Sequence, residues 1–302
     1  MKKISNLLIL ALLTIGMGLT SCDEQLDNAV VPYTPGVTPT VEDIIKYGFK
    51  VTDLNGVDRT EAVTSLKMSN EDGSEVVEAE VSADHKIAIK NTDLTAASFT
   101  AAIDFWFEAE IGGKPYIAKV NIDPTTLNPE TPMTLEMATL GDVILSDGKF
   151  AARTSTAGNK AMIAYLGSST GVDGYTHGLA LALSDVGMGA WEAAKTYCST
   201  TMNSSTPVTG ATWLLASKDQ WDNMISACKN VLGTKNNYQD LRDGFSDISD
   251  ASNLKSDENA RYWSSTEFDA DATCAWYFNF DSGSWYNNLK EKNYWIRACL
   301  AF

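Results

Sequence analysis

Apolar residues recur at every second position in several stretches of the chain and at helical spacing in others. In Ala275–Asp281, Trp276, Phe278 and Phe280 fall on one side of a strand, and Tyr277, Asn279 and Asp281 on the other. Tyr294–Phe302 gathers Tyr294, Ile296, Ala298, Leu300 and Phe302 in the same way. Both runs read as strands with one core-facing side. Between them an Asp-Ser-Gly-Ser turn and the sequence Trp-Tyr-Asn-Asn read as a polar loop. Upstream, Phe99–Ile111 alternates, with Phe99, Ala101, Ile103, Phe105, Phe107 and Ile111 opposite Asp104, Glu108 and Glu110. Gly112-Gly113 follows, then Tyr116, Ala118, Val120 and Ile122 alternate again, which predicts a hairpin.

Helical spacing appears twice. Trp191, Ala194 and Cys198 share one side of Ala190–Cys198. Ser217, with Gln220 three residues on, has the chemistry of a capping box; Trp221, Met224, Ile225 and Cys228 continue the periodicity, and Gly233 closes this second helix. Gly141–Gly148 reads as a short strand and a tight turn, and the apolar runs Ala161–Gly167 and Thr176–Leu183 as buried strands. Gly244–Glu258 is polar and reads as a long surface loop.

These elements fall into two domains. Short strands dominate from about Val41 to Asp123, with Val77, Ala79, Val81, Ile87 and Ile89 as further strand positions and turns at Asn55-Gly56 and Asp72-Gly73. They suggest a small all-β sandwich, immunoglobulin-like, serving as a spacer or assembly module. Pro124, Pro129 and Pro132 crowd into one segment and mark the boundary, giving domains at 41–134 and 135–302. The N-terminus reads as an address. Lys2 and Lys3 precede an apolar run, Leu7 to Leu19, that is short for a spanning helix. Leu19-Thr20-Ser21-Cys22 resembles a bacterial lipobox, so 1–21 is expected to be a lipoprotein signal peptide and Cys22 the lipidated residue. The alternative is a plain secretory signal with Cys22 incidental. Asp23-Glu24 resembles the surface-export signal of Bacteroidetes lipoproteins, and 22–40, with Pro32, Pro35 and Pro39, reads as a tether. The expected location is the outer membrane, lipid-anchored and facing outward.

Composition narrows the function. The 302 residues are 44% hydrophobic and 21% charged, with a formal net charge of −16, and no run of Lys or Arg follows the signal, which argues against nucleic acid. The only histidines are His85 and His177, and no Cys-x-x-Cys occurs. A zinc site by spacing and a Ser-His-Asp triad both lack material. His85, beside Asp84, reads as a solvated loop residue, and His177, in an apolar run, as structural. Asp243, Asp247, Asp250 and Asp257 could collect a calcium ion, but their spacing matches no calcium loop, and a solvated loop is the first reading. No metal, cofactor or catalytic residue is implied, and no enzyme is expected. Glu267 and Arg297 are charges in partly buried runs, expected to pair with each other or with nearby Asp, with ligand contact as the second reading.

From Leu140 to Phe302 the motifs run Gly-Asp-Val…Ser-Asp-Gly, His-Gly-Leu-Ala-Leu-Ala-Leu, Trp-Leu-Leu-Ala-Ser-x-x-x-Trp, Tyr-Trp-Ser-Ser-Thr-Glu, Ala-Trp and a terminal Ile-Arg-x-x-x-x-Phe. This order resembles the major paralogous domain family first named from Fibrobacter succinogenes, which has a C-type-lectin-like fold. Leu214 and Ala216 stand where that family has Arg and Pro. The resemblance implies an α+β domain with two helices flanking a small antiparallel sheet and its first and last strands paired. By the same likeness Cys198 would pair with Cys299, and Cys228 with Cys274; four free thiols are the alternative. The sugar-binding calcium motifs Glu-Pro-Asn and Trp-Asn-Asp are absent, so calcium-dependent sugar binding does not carry over. Similar domains of gut-bacterial surface lipoproteins are targets of diversity-generating retroelements, and Asn279, Asp281, Ser282, Ser284, Tyr286, Asn287, Asn288, Asn293 and Tyr294 have suitable residue types in the corresponding window; a fixed aromatic-polar loop is the alternative.

Four of the 8 Trp lie in Arg261–Phe302. Aromatics beside amides supply rigid contact area and adaptable hydrogen bonds. The expected function is ligand binding by a surface-anchored, adhesin- or receptor-like lipoprotein, its partner a protein or glycan. Contact residues are expected at Asn279, Asp281, Ser284, Trp285, Tyr286, Asn287, Asn288, Asn293, Tyr294 and Trp295. Alternatives are a structural fimbrial or surface-layer component and, further off, an oxidase of the formylglycine-generating type using Cys274 and Cys299.

Overall fold

The computed structural model describes residues 46–70, 76–83, 86–90, 103–122, 131–156 and 158–302. The segments expected to be a signal peptide (1–21) and a tether (22–40), together with Asp72-Gly73, His85, Phe99, Ala101, Pro124 and Pro129, lie outside them. Strand dominates throughout, in several sheets, and the chain divides into two compact units, 1–137 and 138–302. Among the described residues no helix is long and apolar enough to cross a membrane.

The strands of the first unit are β1 (Lys46–Asp53), β2 (Val63–Asn70), β3 (Val76–Glu78), β4 (Glu80–Val81), β5 (Ile87–Lys90), β6 (Ile103–Ile111), β7 (Lys114–Ile122) and β8 (Met133–Thr139), the last running into the second unit. Their hydrogen-bonded order is β3-β2-β6-β7-β8-β1-β5-β4. β8 runs parallel to β1, from Phe49↔Met133 to Asp53↔Met137. The apolar face of β6 is buried as expected, with Phe105, Phe107, Ala109 and Ile111 inside, and Trp106 on the other face is buried as well; β6 pairs with β7 from Ile103↔Ile122 to Ile111↔Lys114. Gly112 and Gly113 both take positive φ, +57° and +76°, which two glycines reach without strain. Phe49 of β1 and Phe107 of β6 meet at 5.6 Å, so the two halves of the strand order share one core.

The second unit holds two sheets. Its strands are β9 (Val143–Leu145), β10 (Phe150–Ala151), β11 (Asn159–Leu166), β12 (Gly178–Ala182), β13 (Gly187–Gly189), β14 (Thr212–Leu215), β15 (Arg261–Glu267), β16 (Cys274–Asn279), β17 (Ser284–Leu289), β18 (Tyr294–Ile296) and β19 (Ala298–Ala301). The orders are β10-β9-β11-β12-β19-β14 and β13-β18-β15-β16-β17. The last strand, β19, sits between β12 and β14 and does not pair with β9, the unit's first strand, contrary to the pairing the resemblance implies.

The helices follow the periodicity. α1 (Trp191–Thr196) runs through a wider turn (Tyr197–Thr201) into α2 (Met202–Ser205), and Trp191, Ala194 and Cys198 are buried. α3 (Lys218–Cys228) begins with the expected capping box: Ser217 Oγ accepts from Gln220 N at 3.2 Å, and Gln220 Oε1 accepts from Ser217 N at 2.6 Å. It ends at Cys228 rather than at Gly233. Asn230 turns to φ +60°, and the chain wraps the carboxylate of Asp240 on α4 (Tyr238–Asp243). That carboxylate accepts the backbone N–H groups of Asn230, Lys235 and Asn236, each at 2.9 Å.

The C-terminal run does not form one strand. Arg297 divides it: β18 lies beside β13 and β15, whereas β19 joins the other sheet. Residues 282–293 are likewise more than a loop. β17 pairs with β16 from Cys274↔Leu289 to Asn279↔Ser284, because Trp285 and Tyr286 find cross-strand partners in Phe278 and Tyr277. The segment 244–258 lacks regular structure but is not wholly superficial, since Phe245, Ile248 and Leu254 are buried.

All four cysteines of this unit are free thiols, so neither bridge implied by the resemblance is present. Burial pushes the Cys198 thiol up to about 12. It raises Cys228 and Cys299 as well.

Candidate functional site

The site is built on the sheet β13-β18-β15-β16-β17. Residues directly opposite on neighbouring strands share a face, so the register defines two surfaces. One carries Tyr262, Phe278 and Trp285 in a row, with Trp295 opposite Tyr262. It turns toward α3 and α4: Trp221 meets Phe280 at 5.6 Å, Tyr238 meets Phe278 at 5.9 Å, and Phe278 meets Trp285 at 5.2 Å. The other face carries the rows Trp263–Tyr277–Tyr286 and Arg261–Asn279–Ser284, with Asn288 opposite Ala275.

The second face is a stepped aromatic shelf. Trp263 lies at its base, fully buried, with its indole N–H donating to Gly189 O at 3.0 Å. Tyr294 sits between Trp263 and Tyr277, 4.6 Å from each ring. Tyr286 stacks on Tyr277 at 5.8 Å and is 44% exposed, the outermost ring of the series. Asn288 Nδ2 donates to the Tyr294 hydroxyl at 2.7 Å. Burial raises the Tyr277 phenol above its usual range, the neighbouring Tyr294 adds to the rise, and the Arg261 charge opposes it. The Arg261 guanidinium lies 5.6 Å from the Tyr294 ring centre.

The expected contact residues divide between these surfaces. Asn279, Ser284, Tyr286 and Asn288 come together on the shelf. Trp285, Asn287 and Trp295 do not, because strand alternation sends them to the opposite face. There the Trp285 indole N–H donates to Asp222 Oδ1 at 2.8 Å, and the Lys218 and Lys255 ammonium groups stand 5.3 and 4.6 Å over Trp285 and Trp295. Tyr294 is on the shelf side but only 6% exposed, and its ring lies beneath the surface between Trp263 and Tyr277. Asp281 is exposed in the turn, its backbone N–H held by Asn279 Oδ1 and its carbonyl by the Tyr238 hydroxyl. Asn293 is exposed in the connection between β17 and β18. Sequence reasoning missed Tyr277 and Arg261. Tyr277 was visible on the strand face that carries Asn279 and Asp281; Arg261 gave no signal, because only the register brings it opposite Asn279.

The remaining candidates have structural roles. Arg297 pairs with Asp185, not with Glu267, which stands exposed and pairs with Lys290 at 3.1 Å. Asp243 is held by Arg242 and Lys235, Asp247 by Arg153, and Asp257 accepts from Asn259 N. Among the described residues no group of three or more His, Cys, Asp or Glu is placed to hold a metal ion. His177 is buried in the backbone junction with Phe302, donating its N–H to Phe302 O at 2.9 Å. No family model matches the chain, and no curated protein matches it.

Proposed function

We propose that this protein is a surface-anchored, ligand-binding lipoprotein. In this reading the second unit is a C-type-lectin-like binding domain, the first an immunoglobulin-like spacer, and Cys22 carries the lipid. No bond is made or broken; the domain recognises its partner through the shelf. The observation that carries the reading is Tyr286, exposed yet stacked on Tyr277 and flanked by an Asn288 amide whose position Tyr294 fixes. A rigid aromatic ring beside oriented amides binds at low entropic cost.

The test is a printed array of glycans and secreted proteins probed with wild type and with a Tyr286→Ala, Asn288→Ala variant. The reading expects signals that the variant loses; equal signals from both would remove the shelf from consideration. The anchor is tested separately: a labelled fatty acid enters wild type and not Cys22→Ser. Retroelement diversification of the exposed positions on β17 belongs to the same reading and requires a reverse transcriptase gene beside a near-copy of the 3′ end.

One observation favours a structural component instead. β17 is an edge strand, and such edges accept further strands. Stable polymers of the pure protein would support that alternative.

A further inference from the structure

Hydrogen-bonding capacity on the shelf leans toward donors, the Ser284 and Tyr286 hydroxyls being able to act either way. Asn279 Oδ1 already accepts from Asp281 N at 2.9 Å, and Asn288 Oδ1 from Leu289 N at 2.9 Å. Each amide is thereby oriented, with one lone pair of its oxygen engaged and its N–H groups turned away from that bond. Asn288 uses one of those hydrogens on Tyr294 and keeps the other. The cationic group of the shelf is Arg261, which stands directly across the ladder from Asn279. Its side chain is half-buried with Nε inside and unpartnered, so the terminal nitrogens are what it can present to a ligand, and among the described residues it makes no ion pair. The other arginines of the unit differ: Arg153 pairs with Asp247, Arg242 with Asp243 and Arg297 with Asp185. Glu267, in the same row as Asn288, is neutralised by Lys290. In a chain of net charge −16, an arginine without a carboxylate is conspicuous.

A surface that offers donors and one unneutralised guanidinium selects an acceptor-rich, negatively charged ligand, and guanidinium binds carboxylate with matched geometry. The apolar component is small. Of the large hydrophobic residues exposed in this unit, Tyr286 alone belongs to the shelf, since Met188 and Leu289 fall in register with Trp295 and Cys274 on the other face. A protein partner needs several buried anchors, whereas one exposed phenol ring with neighbouring amides suits a single pyranose. We infer that the ligand is an acidic saccharide, its carboxylate received by Arg261 and one sugar ring lying on Tyr286. This rests on the proposal that the shelf is the binding face.

The experiment is an array of uronate- and sialate-bearing oligosaccharides, each beside its methyl ester, with hexaglutamate as a peptide polyanion, probed with the full chain and followed by calorimetry on the best binder. The inference expects the free acid to bind at least tenfold more tightly than its ester, with affinity falling as salt rises. Arg261→Gln should lose that preference and Arg261→Lys retain part of it; melting curves establish that the variants are folded, and the acid–ester comparison needs no variant. Binding of acid and ester alike, or of no acidic saccharide, overturns the inference, as does hexaglutamate binding equally well. If Tyr286→Ala abolishes binding while Arg261→Gln does not, only the acidic assignment fails. If Tyr286→Ala changes nothing, the shelf itself is wrong.

Discussion

Arg297 Nε stands 2.8 Å from Asp185 Oδ1, with the two side chains 0% and 6% exposed. The guanidinium also donates to Ala182 O at 2.7 Å and to Ser252 O at 2.9 Å, and its carbon lies 4.9 Å from the Phe245 ring centre. Asp185 in turn accepts from the Tyr262 hydroxyl at 3.0 Å. One cation thus joins the strand that leaves the sheet β13-β18-β15-β16-β17 to the irregular segment 244–258. Removing one partner of a buried pair leaves the other charge uncompensated. Asp185→Ala is expected to lower stability by about 3–5 kcal/mol, measured as the shift in urea midpoint at constant slope. A change within about 0.5 kcal/mol would remove this pair from the account.

Asp240 gives the fold an acid-sensitive point. Burial alone would raise its pKa, but the backbone N–H groups of Asn230, Lys235, Asn236 and Asn237 outweigh it and hold the carboxyl below the usual value of 3.8. A depressed carboxylate stabilises the fold at pH values above its unfolded pKa, and that contribution is lost as pH falls through the folded pKa. Asp240→Asn should therefore be less stable than wild type at pH 7, by about 1–3 kcal/mol. The gap should shrink as pH is lowered below about 4. A gap constant from pH 7 to pH 3 would contradict this.

Thiol reactivity should be site-selective. Cys198, Cys228 and Cys299 are buried, and burial disfavours their thiolates, whereas Cys274 is half-buried. Iodoacetamide at pH 8 is expected to modify Cys274 in the native domain and the other three only in denaturant. If Cys198 and Cys299 stay unlabelled in denaturant until a reductant is added, they are disulfide-bonded and the thiol state is wrong.

Neighbours on β17 should separate stability from recognition. Trp285 bonds Asp222 and packs on Phe278, so Trp285→Ala should cost about 1–3 kcal/mol in chemical denaturation, less than a fully buried Trp. Tyr286→Ala, at an exposed position, should stay within about 0.5 kcal/mol. The reverse order would mean that the two residues have been given each other's roles.

Much of this architecture was legible where a single local rule decided the outcome. The alternation of Phe105, Phe107 and Ile111, the paired glycines after it, and the Ser217–Gln220 box each state their structure within a few residues. What was hidden depends on partners far away in sequence. The run Tyr294–Phe302 alternates evenly, yet it breaks at Arg297 because Asp185, more than a hundred positions earlier, holds that charge. The charge inside an apolar run was the visible sign; its partner was not. The helix end at Cys228 was likewise decided by Asp240, which no capping rule links to Asn230. For the candidate site, residue types at Trp285–Asn288 suggested a contact surface, but composition alone merged two faces. Only pairing of β17 with β16 shows that Tyr286 and Asn288 point one way and Trp285 and Asn287 the other.

That separation is the claim most open to direct measurement. Affinity for the best ligand found on the array should be determined for single alanine variants at Trp285, Tyr286, Asn287 and Asn288, at a temperature where all four are folded. The shelf predicts a period of two: at least tenfold loss at Tyr286 and Asn288, and near wild-type binding at Trp285 and Asn287. Loss at Trp285 and Asn287 with binding kept at Tyr286 and Asn288 would place recognition on the opposite face and contradict it.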